Sequence, residues 1–230
     1  MNHQDAEIHF FNQLAAEWWD VKGPQATLHQ INPLRLRWIS QSMDLKTKKV
    51  LDVGCGAGLL SEGLAKLGAE VSGLDLAADL IEVATQHAAE SQLNIAYHCQ
   101  DLKIFSATHQ DTFDAIFCLE MLEHVDDFDA IITQMSTCLK PGGKLFLSTI
   151  DRSPRSFMEL IVGAEYLLKM VPRGTHHYAK FIRPEELCES LRRHDLKPIE
   201  MRGLHYNPLL KTFSLKPKLA SNYMVLAERV

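Results

Sequence analysis

Two carboxylates and an imidazole fall within the run Glu120-Met121-Leu122-Glu123-His124-Val125. On a helical turn, Glu120, Glu123 and His124 stand at i, i+3 and i+4 and share a face. Three roles are open to such a set. His124, with an ordinary pKa of roughly 6.5, suits removal of a proton from a phenol near neutrality. The two carboxylates, with or without His124, suit a divalent cation such as Mg²⁺, which would lower the pKa of a catechol and hold its two oxygens. The third role is structural, with Glu123 and His124 only stabilising the start of a helix. A phenol with a pKa near ~10 is almost wholly neutral at pH 7, so some base or cation has to assist its ionisation.

A second group of residues suits ligand binding. The apolar run Val50-Leu51-Asp52-Val53 breaks into Gly54-Cys55-Gly56-Ala57-Gly58. Alternate glycines let the backbone turn tightly and pass close to a ligand, because glycine tolerates positive φ and has no Cβ. A dinucleotide fingerprint would put its third glycine where Leu59 stands, so the dehydrogenase pattern fails by one residue. The spacing of Gly54, Gly56 and Gly58 fits the methionine part of S-adenosylmethionine instead. Asp75 closes the next strand candidate, where a carboxylate can accept from the two ribose hydroxyls. In Gln100-Asp101-Leu102, Asp101 suits either the adenine amine or a helix N-cap. Leu102 and Leu119 suit the walls of an adenine slot. Asp52 either buttresses the glycine loop or meets the amino group of the methionine.

These residues need a frame that brings the ends of several strands together. From 49 to 147 the chain alternates β-rich runs with helix-length amphipathic segments, the mark of a parallel sheet flanked by helices. Strands are expected at 49–53, 70–75, 94–99, 113–118 and 143–149, and helices at 59–67, 79–92 and 128–139. Leu139-Lys140-Pro141-Gly142-Gly143 closes the last of these helices and turns back into a strand. A long apolar helix is expected at 157–171 and a further helix at 184–194. Final strands at 198–205 and 221–228, separated by a Pro-containing loop, complete a seven-stranded α/β sheet, mostly parallel with an antiparallel last strand. Residues 1–48 read as a helical lid with Phe10, Phe11, Leu14, Trp18 and Trp19 along one side, either packed on the domain or covering a ligand. Residues 49–230 form the main domain, with 152–183 as a helical insertion.

At 230 residues, 46% of them hydrophobic, the chain has ample material for one large core. Its net charge of −5, from 24 basic and 29 acidic residues, argues against a general nucleic-acid binder. Cys55, Cys99, Cys118, Cys138 and Cys188 are odd in number and lack any C-x-x-C pair, which fits reduced thiols in a cytoplasmic protein with no catalytic cysteine. The first residues, among them Asp5, Glu7 and His9, lack the basic-then-apolar pattern of a secretion signal. No stretch approaches the ~20 apolar residues of a membrane span.

Taken in order, the glycine loop, Asp75, Phe113-Asp114-Ala115-Ile116-Phe117-Cys118 and Leu139-Lys140-Pro141-Gly142-Gly143 resemble the class I, Rossmann-like methyltransferases. The flanks are more specific. Ala16-Glu17-Trp18-Trp19-Asp20, Leu28-His29-Gln30-Ile31-Asn32-Pro33-Leu34-Arg35, Met170-Val171-Pro172-Arg173-Gly174-Thr175-His176 and Gly203-Leu204-His205-Tyr206-Asn207-Pro208 resemble the bacterial ubiquinone-biosynthesis O-methyltransferases across nearly the whole chain. The resemblance implies S-adenosylmethionine-dependent methylation of a 2-polyprenyl-6-hydroxyphenol and of a 3-demethylubiquinol. It also implies cofactor contacts at Arg35, Gly54, Asp75 and Leu119, and, for some relatives, a divalent cation at Glu120, Glu123 and His124. Family members usually carry methionine where this chain has Leu119, an apolar exchange that preserves packing.

A polyprenyl substrate lives in the bilayer, so the enzyme is expected to be peripheral on the inner face of the cytoplasmic membrane. The segment 157–183 combines apolar residues with Lys169, Arg173, Lys180 and Arg183, a composition suited to an interfacial helix and basic loop, or to a cap over the substrate. His176, His177, His205 and Tyr206 are candidates for the acceptor pocket. Two other readings stand beside this one. The first keeps the fold and takes another small phenol or a carboxylate. The second is a non-enzymatic, cofactor-binding component of a biosynthetic complex, against which the intact Gly54, Gly56, Asp75 and Glu120 to His124 argue.

Overall fold

A parallel strand covered on both faces is buried along its length and mostly apolar, and Val50, Leu51 and Val53, with Asp52 between them, are all buried. They form most of β1 (Lys49–Val53), the centre of the computed structural model, which describes residues 3–157 and 178–230. Before β1 come α1 (His3–Gln13), a 3₁₀ turn (Ala15–Glu17) and α2 (Ala26–Ser42). After it the chain alternates through α3 (Leu59–Lys66), β2 (Glu70–Asp75), α4 (Ala78–Glu90), β3 (Ile95–Cys99), α5 (Leu102–Ser106), β4 (Phe113–Leu119), a 3₁₀ turn (Leu122–His124), α6 (Phe128–Cys138) and β5 (Leu139–Ile150). The remainder is α7 (Pro154–Ser156), a 3₁₀ turn (Tyr178–Lys180), α8 (Pro184–Arg193), β6 (Leu196–Asn207), β7 (Thr212–Lys216) and β8 (Asn222–Arg229).

One sheet runs in the order β3-β2-β1-β4-β5-β8-β6-β7. The first five of these strands are mutually parallel, as the alternation of strands and helices requires. β8 enters antiparallel between β5 and β6, pairing Ile150 with Asn222. The sheet has eight strands rather than the expected seven. The additional strand is β7, which arises inside the expected loop because Phe213 and Leu215 alternate with polar residues and pair with Tyr206 and Leu204 of β6. The Pro141-Gly142-Gly143 turn is absorbed into β5 as an irregularity, with the register shifting between Phe113 and Ala115.

Helices cover both faces. One core joins Leu51, Ile116, Leu145 and Val225 to Ile132 of α6 and Leu187 of α8. The other joins Val50, Phe117 and Phe146 to Leu60 and Leu64 of α3 and to Trp38 and Ile39 of α2, so the second half of α2 shares a core with the sheet. A third, smaller cluster sets Ala15 and Trp18 against Ala57, Ala77 and Leu80, with Phe11, Leu14 and Trp19 packed beside it. The aromatic stripe thus faces the glycine loop and the start of α4. Two hydrogen bonds and a ring stack fasten the lid: Trp19 Nε1 donates to Ala57 O (3.0 Å), Asn32 Nδ2 donates to Leu59 O (3.0 Å), and Trp19 stacks on His87 with centroids 3.5 Å apart. The expected helix at 157–171 falls almost wholly outside the described residues, as do His176 and His177. Among the described residues no helix is long and apolar enough to cross a membrane.

Candidate functional site

The carboxyl ends of β1, β2 and β4 open onto a cavity of about 820 Å³, roofed by α1 and α2 and walled by the β6–β7 hairpin. This is the edge at which open α/β sheets bind ligands. Of the sequence candidates, Arg35, Asp52, Gly54, Gly56, Asp75, Asp101, Leu102, Leu119, Glu120, Glu123 and His124 all line it. Gly58 does not. Its φ of 87° ends the loop at the first turn of α3, and a Cβ there would run into the Tyr97 hydroxyl, so it shapes the loop from behind.

At the glycine loop, Gly56 (φ 54°) lies so close to Trp18 that a Cβ would come within 2.5 Å of the indole. Asp75 accepts Gly56 N–H at Oδ2 and Ala77 N–H at Oδ1, both at 2.9 Å. Each oxygen keeps acceptor capacity for a hydroxyl. Burial raises the Asp75 pKa, although these backbone donors oppose the shift. Asp52 accepts from Ser61 Oγ at 2.6 Å and thereby ties β1 to α3, the buttressing role. Burial carries its pKa up to about 7. Asp101 caps α5 by accepting Lys103 N–H at 2.8 Å, while Leu102 and Leu119 present apolar walls. Two buried donors on cavity-lining residues, Trp18 Nε1 and Arg35 Nε, have no hydrogen-bond partner among the described residues. A cradle without Cβ atoms, an acid with spare lone pairs, an apolar slot and two waiting N–H groups fit a sulfonium nucleoside with a carboxylate tail.

Beyond β4 the structure corrects the expected helical face. Glu120 sits at φ 58°, in the left-handed region, with its N–H bonded to Ser148 O at 3.1 Å, and helical geometry begins only at Leu122. Glu120 therefore does not share a helical face with Glu123 and His124. Its Oε1 meets Arg35 Nη2 at 2.5 Å and accepts from Ser148 Oγ at 2.6 Å, while Oε2 accepts from Asn222 Nδ2 at 2.6 Å. Burial lowers the Arg35 pKa, with Glu120 and Glu123 opposing it. Glu123 is buried and accepts from Thr149 Oγ1 at 2.8 Å; burial, then the charge of Glu120, raises its pKa. His124 Nδ1 meets Glu7 Oε2 of α1 at 3.0 Å, and the Phe11 ring abuts the imidazole edge-on at 5.1 Å. Burial disfavours the charged imidazole, but the Glu7 hydrogen bond and the charges of Glu123, Glu7 and Glu120 outweigh it and raise the His124 pKa.

Among the described residues, no group of three His, Cys, Asp or Glu side chains converges as a metal-ligand set. As arranged, Glu120, Glu123 and His124 are committed to separate partners, and a guanidinium occupies the carboxylate that a cation would need. All five cysteines are unpaired, and burial raises the Cys55 and Cys118 thiols, in keeping with inert packing. Sequence reasoning missed Glu7, Met121, Ser148 and Asn222. Met121 fills the space where a Gly54 Cβ would stand, and Asn222 reaches Glu120 only through the β5–β8 pairing. No local spacing signals either. His205 and Tyr206 do line the cavity, with Phe213 beside them.

The chain matches the methyltransferase domain family over residues 26–201. A ubiquinone biosynthesis O-methyltransferase of Coxiella burnetii is 48% identical over 223 residues, 97% of this chain and 95% of that protein. One from Xanthomonas oryzae pv. oryzae is 46% identical over 226 residues, 98% and 95% of the two chains. Among solved structures, the magnesium protoporphyrin IX methyltransferase of Synechocystis PCC 6803 with bound S-adenosylmethionine superposes with a TM-score of 0.71, at 18% identity, over 100% of this chain and 98% of that one. That likeness shows the fold alone, the class I methyltransferase fold. The enzyme reading therefore replaces the non-enzymatic one. The chain belongs to the ubiquinone biosynthesis O-methyltransferases.

Proposed function

We propose that this O-methyltransferase methylates a ring hydroxyl of a polyprenylated phenol or quinol, of the kind found in 2-polyprenyl-6-hydroxyphenol and 3-demethylubiquinol. That the relatives at 46–48% identity are ubiquinone biosynthesis O-methyltransferases supports the substrate class. The carrying observation is that one cavity joins the glycine loop and Asp75 to the Glu7–His124 pair and to the aromatic wall of Tyr206 and Phe213. When bound, S-adenosylmethionine supplies a methyl group on a sulfonium, which leaves without covalent help from the protein. Asp75 orients the ribose, Leu102 and Leu119 hold the adenine, and Trp18 and Arg35 receive the methionyl carboxylate. Asp52 and Gly58 hold the loop in shape.

What remains for the protein is alignment and ionisation of the acceptor. Glu7 fixes the imidazole through Nδ1, leaving Nε2 of His124 to take the phenolic proton, and Glu123 adds its charge behind the ring. Glu120 positions Arg35 through the Ser148 and Asn222 network. In this reading, residues 1–48 act as a lid on a methyltransferase domain of 49–230. The enzyme works as a peripheral protein on the inner face of the cytoplasmic membrane, within reach of a biosynthetic complex.

A divalent cation is the second reading, favoured by one observation: Glu123 is a buried carboxyl with Glu120 as a like-charged neighbour, which a cation would relieve. It would require Glu120 to release Arg35 and Asn222. Transfer of labelled methyl from S-adenosylmethionine to a prenylated catechol, with EDTA or with added Mg²⁺, tests both. Turnover undiminished by EDTA supports His124 as the base. Turnover abolished by EDTA and restored by Mg²⁺ overturns that assignment in favour of the cation. No turnover on prenylated catechols overturns the substrate class and leaves another small phenol or a carboxylate.

A further inference from the structure

The hairpin that adds an eighth strand to the sheet has no part in cofactor binding, yet it is built to a definite shape. Its base is pinned: a Cβ on Gly203 would collide with the backbone of Lys218 to Ala220, and the His205 ring bonds Lys218 O at 2.8 Å. Its middle is stiffened by Tyr206 against Phe213, with ring centroids 4.8 Å apart. Its tip is set by Asn207, whose Oδ1 accepts both Leu209 N–H (3.0 Å) and Leu210 N–H (3.2 Å). The outcome is two adjacent leucines held out in solvent, 92% and 70% exposed. The other exposed large apolar side chains among the described residues stand singly along the chain. From Gly203 to Ala220 the chain carries Lys211, Lys216 and Lys218, all exposed, and no acidic residue, in a protein of net charge −5.

We infer that the β6–β7 hairpin is a membrane-docking finger, with Leu209 and Leu210 entering the headgroup layer of an anionic bilayer while the three lysines meet lipid phosphates. Protruding leucines with Lys211 beside them, and Lys216 and Lys218 exposed further back toward the base of the hairpin, suit an interface that is apolar below and anionic above. A second protein would instead have to supply a cleft with acidic walls. The finger is continuous with the site, because Leu204, Tyr206, Pro208 and Phe213 line the cavity while the tip points beyond it. A lipid tail would therefore leave the cavity along Tyr206 and Phe213 toward the bilayer, a step that rests on the polyprenyl reading above; the docking itself does not.

The test is co-sedimentation of the full chain with phosphatidylcholine vesicles, with and without phosphatidylglycerol. Each variant is also assayed for turnover of a water-soluble, short-chain catechol. We expect binding to the anionic vesicles to weaken about tenfold or more in Leu209→Asp/Leu210→Asp. Lys211→Gln/Lys216→Gln/Lys218→Gln should weaken it several-fold, and both variants should keep full turnover of the soluble catechol. Vesicle binding by the leucine variant equal to that of the unaltered protein overturns the proposal. So does equal binding to vesicles lacking phosphatidylglycerol. A change in oligomeric state caused by the leucine substitutions, seen by size exclusion, likewise overturns it and makes the tip a contact between copies. If no catechol is methylated but the leucine variant still loses vesicle binding, with cofactor binding intact, the acceptor assignment fails and the docking finger stands.

Discussion

The two halves of the cavity are assembled by different means. On the cofactor side, bonds are short in sequence: Asp101 caps two residues ahead, Asp52 reaches Ser61 nine residues on, and Asp75 reaches Gly56 nineteen residues back. The bonds that close the cavity toward the acceptor span the chain: Glu120 joins Arg35, at the border with the cofactor, across 85 residues and Asn222 across 102, and His124 joins Glu7 across 117. The glycine loop with its Asp52 and Asp75 bonds is a property of one βαβ unit. The acceptor half exists only when the lid and the last strand have docked. Cofactor affinity and acceptor chemistry should therefore be separable by mutation.

The most severe break is expected at the proposed base. His124→Ala should lower kcat by about 10²–10⁴-fold, the usual range for removing a general base, with cofactor affinity by calorimetry almost unchanged. Loss of cofactor binding in this variant would show that the halves are not independent. The converse is Asp75→Ala, which deletes the proposed ribose acceptor and frees the Gly56 and Ala77 amides. Two charged hydrogen bonds are worth roughly 3 kcal/mol or more, so the cofactor Kd should rise about a hundredfold or more. A rise under fivefold would remove Asp75 from the ribose.

Glu7 tests whether the lid belongs to the acceptor half. Glu7→Gln keeps a hydrogen-bonding side chain and removes the charge, so kcat should fall by roughly tenfold, less than for loss of the base itself. The pH profile gives the sign. His124 must be neutral to accept a proton, and Glu7 is among the groups that raise its pKa, with the charges of Glu123 and Glu120 acting in the same direction. Removing that charge lowers the imidazole pKa, so the acid limb of kcat should move to lower pH while the plateau drops. A merely structural role for Glu7 would lower the plateau without moving the limb.

The same contrast decides what was legible in the sequence. The five parallel strands, the glycine loop, Asp75 and the N-cap at Asp101 were legible because each follows from local periodicity, a turn or a neighbour a few residues away. Glu120 was misread as part of a helical face because its spacing obeys helix geometry, while its backbone at φ 58° is dictated by Ser148 on the next strand. Asn222 and Glu7 carry no local pattern at all, and strand β7 was hidden in a segment whose proline and lysines read as loop. Tertiary pairing produced these features, and a single sequence shows them only after the sheet order is known.

The mildest perturbation lies where the lid crosses into the cofactor half. His87 stacks on Trp19 at 3.5 Å and bonds the buried Glu62 at 2.5 Å, while Trp19 donates to Ala57 in the glycine loop. In His87→Ala, Glu62 keeps Lys66 at 3.1 Å, so the buried carboxylate is not left wholly alone. The loss is then one ring stack and one hydrogen bond, about 1–2 kcal/mol of stability, to be read from denaturant midpoints. Because the stack holds Trp19 over the loop, cofactor affinity should weaken by a few-fold, whereas kcat at saturating cofactor should barely change. A large fall in kcat would mean that the lid transmits through His87 to the Glu7–His124 pair. The division between a locally built cofactor site and a globally built acceptor site would then have to be redrawn along the lid.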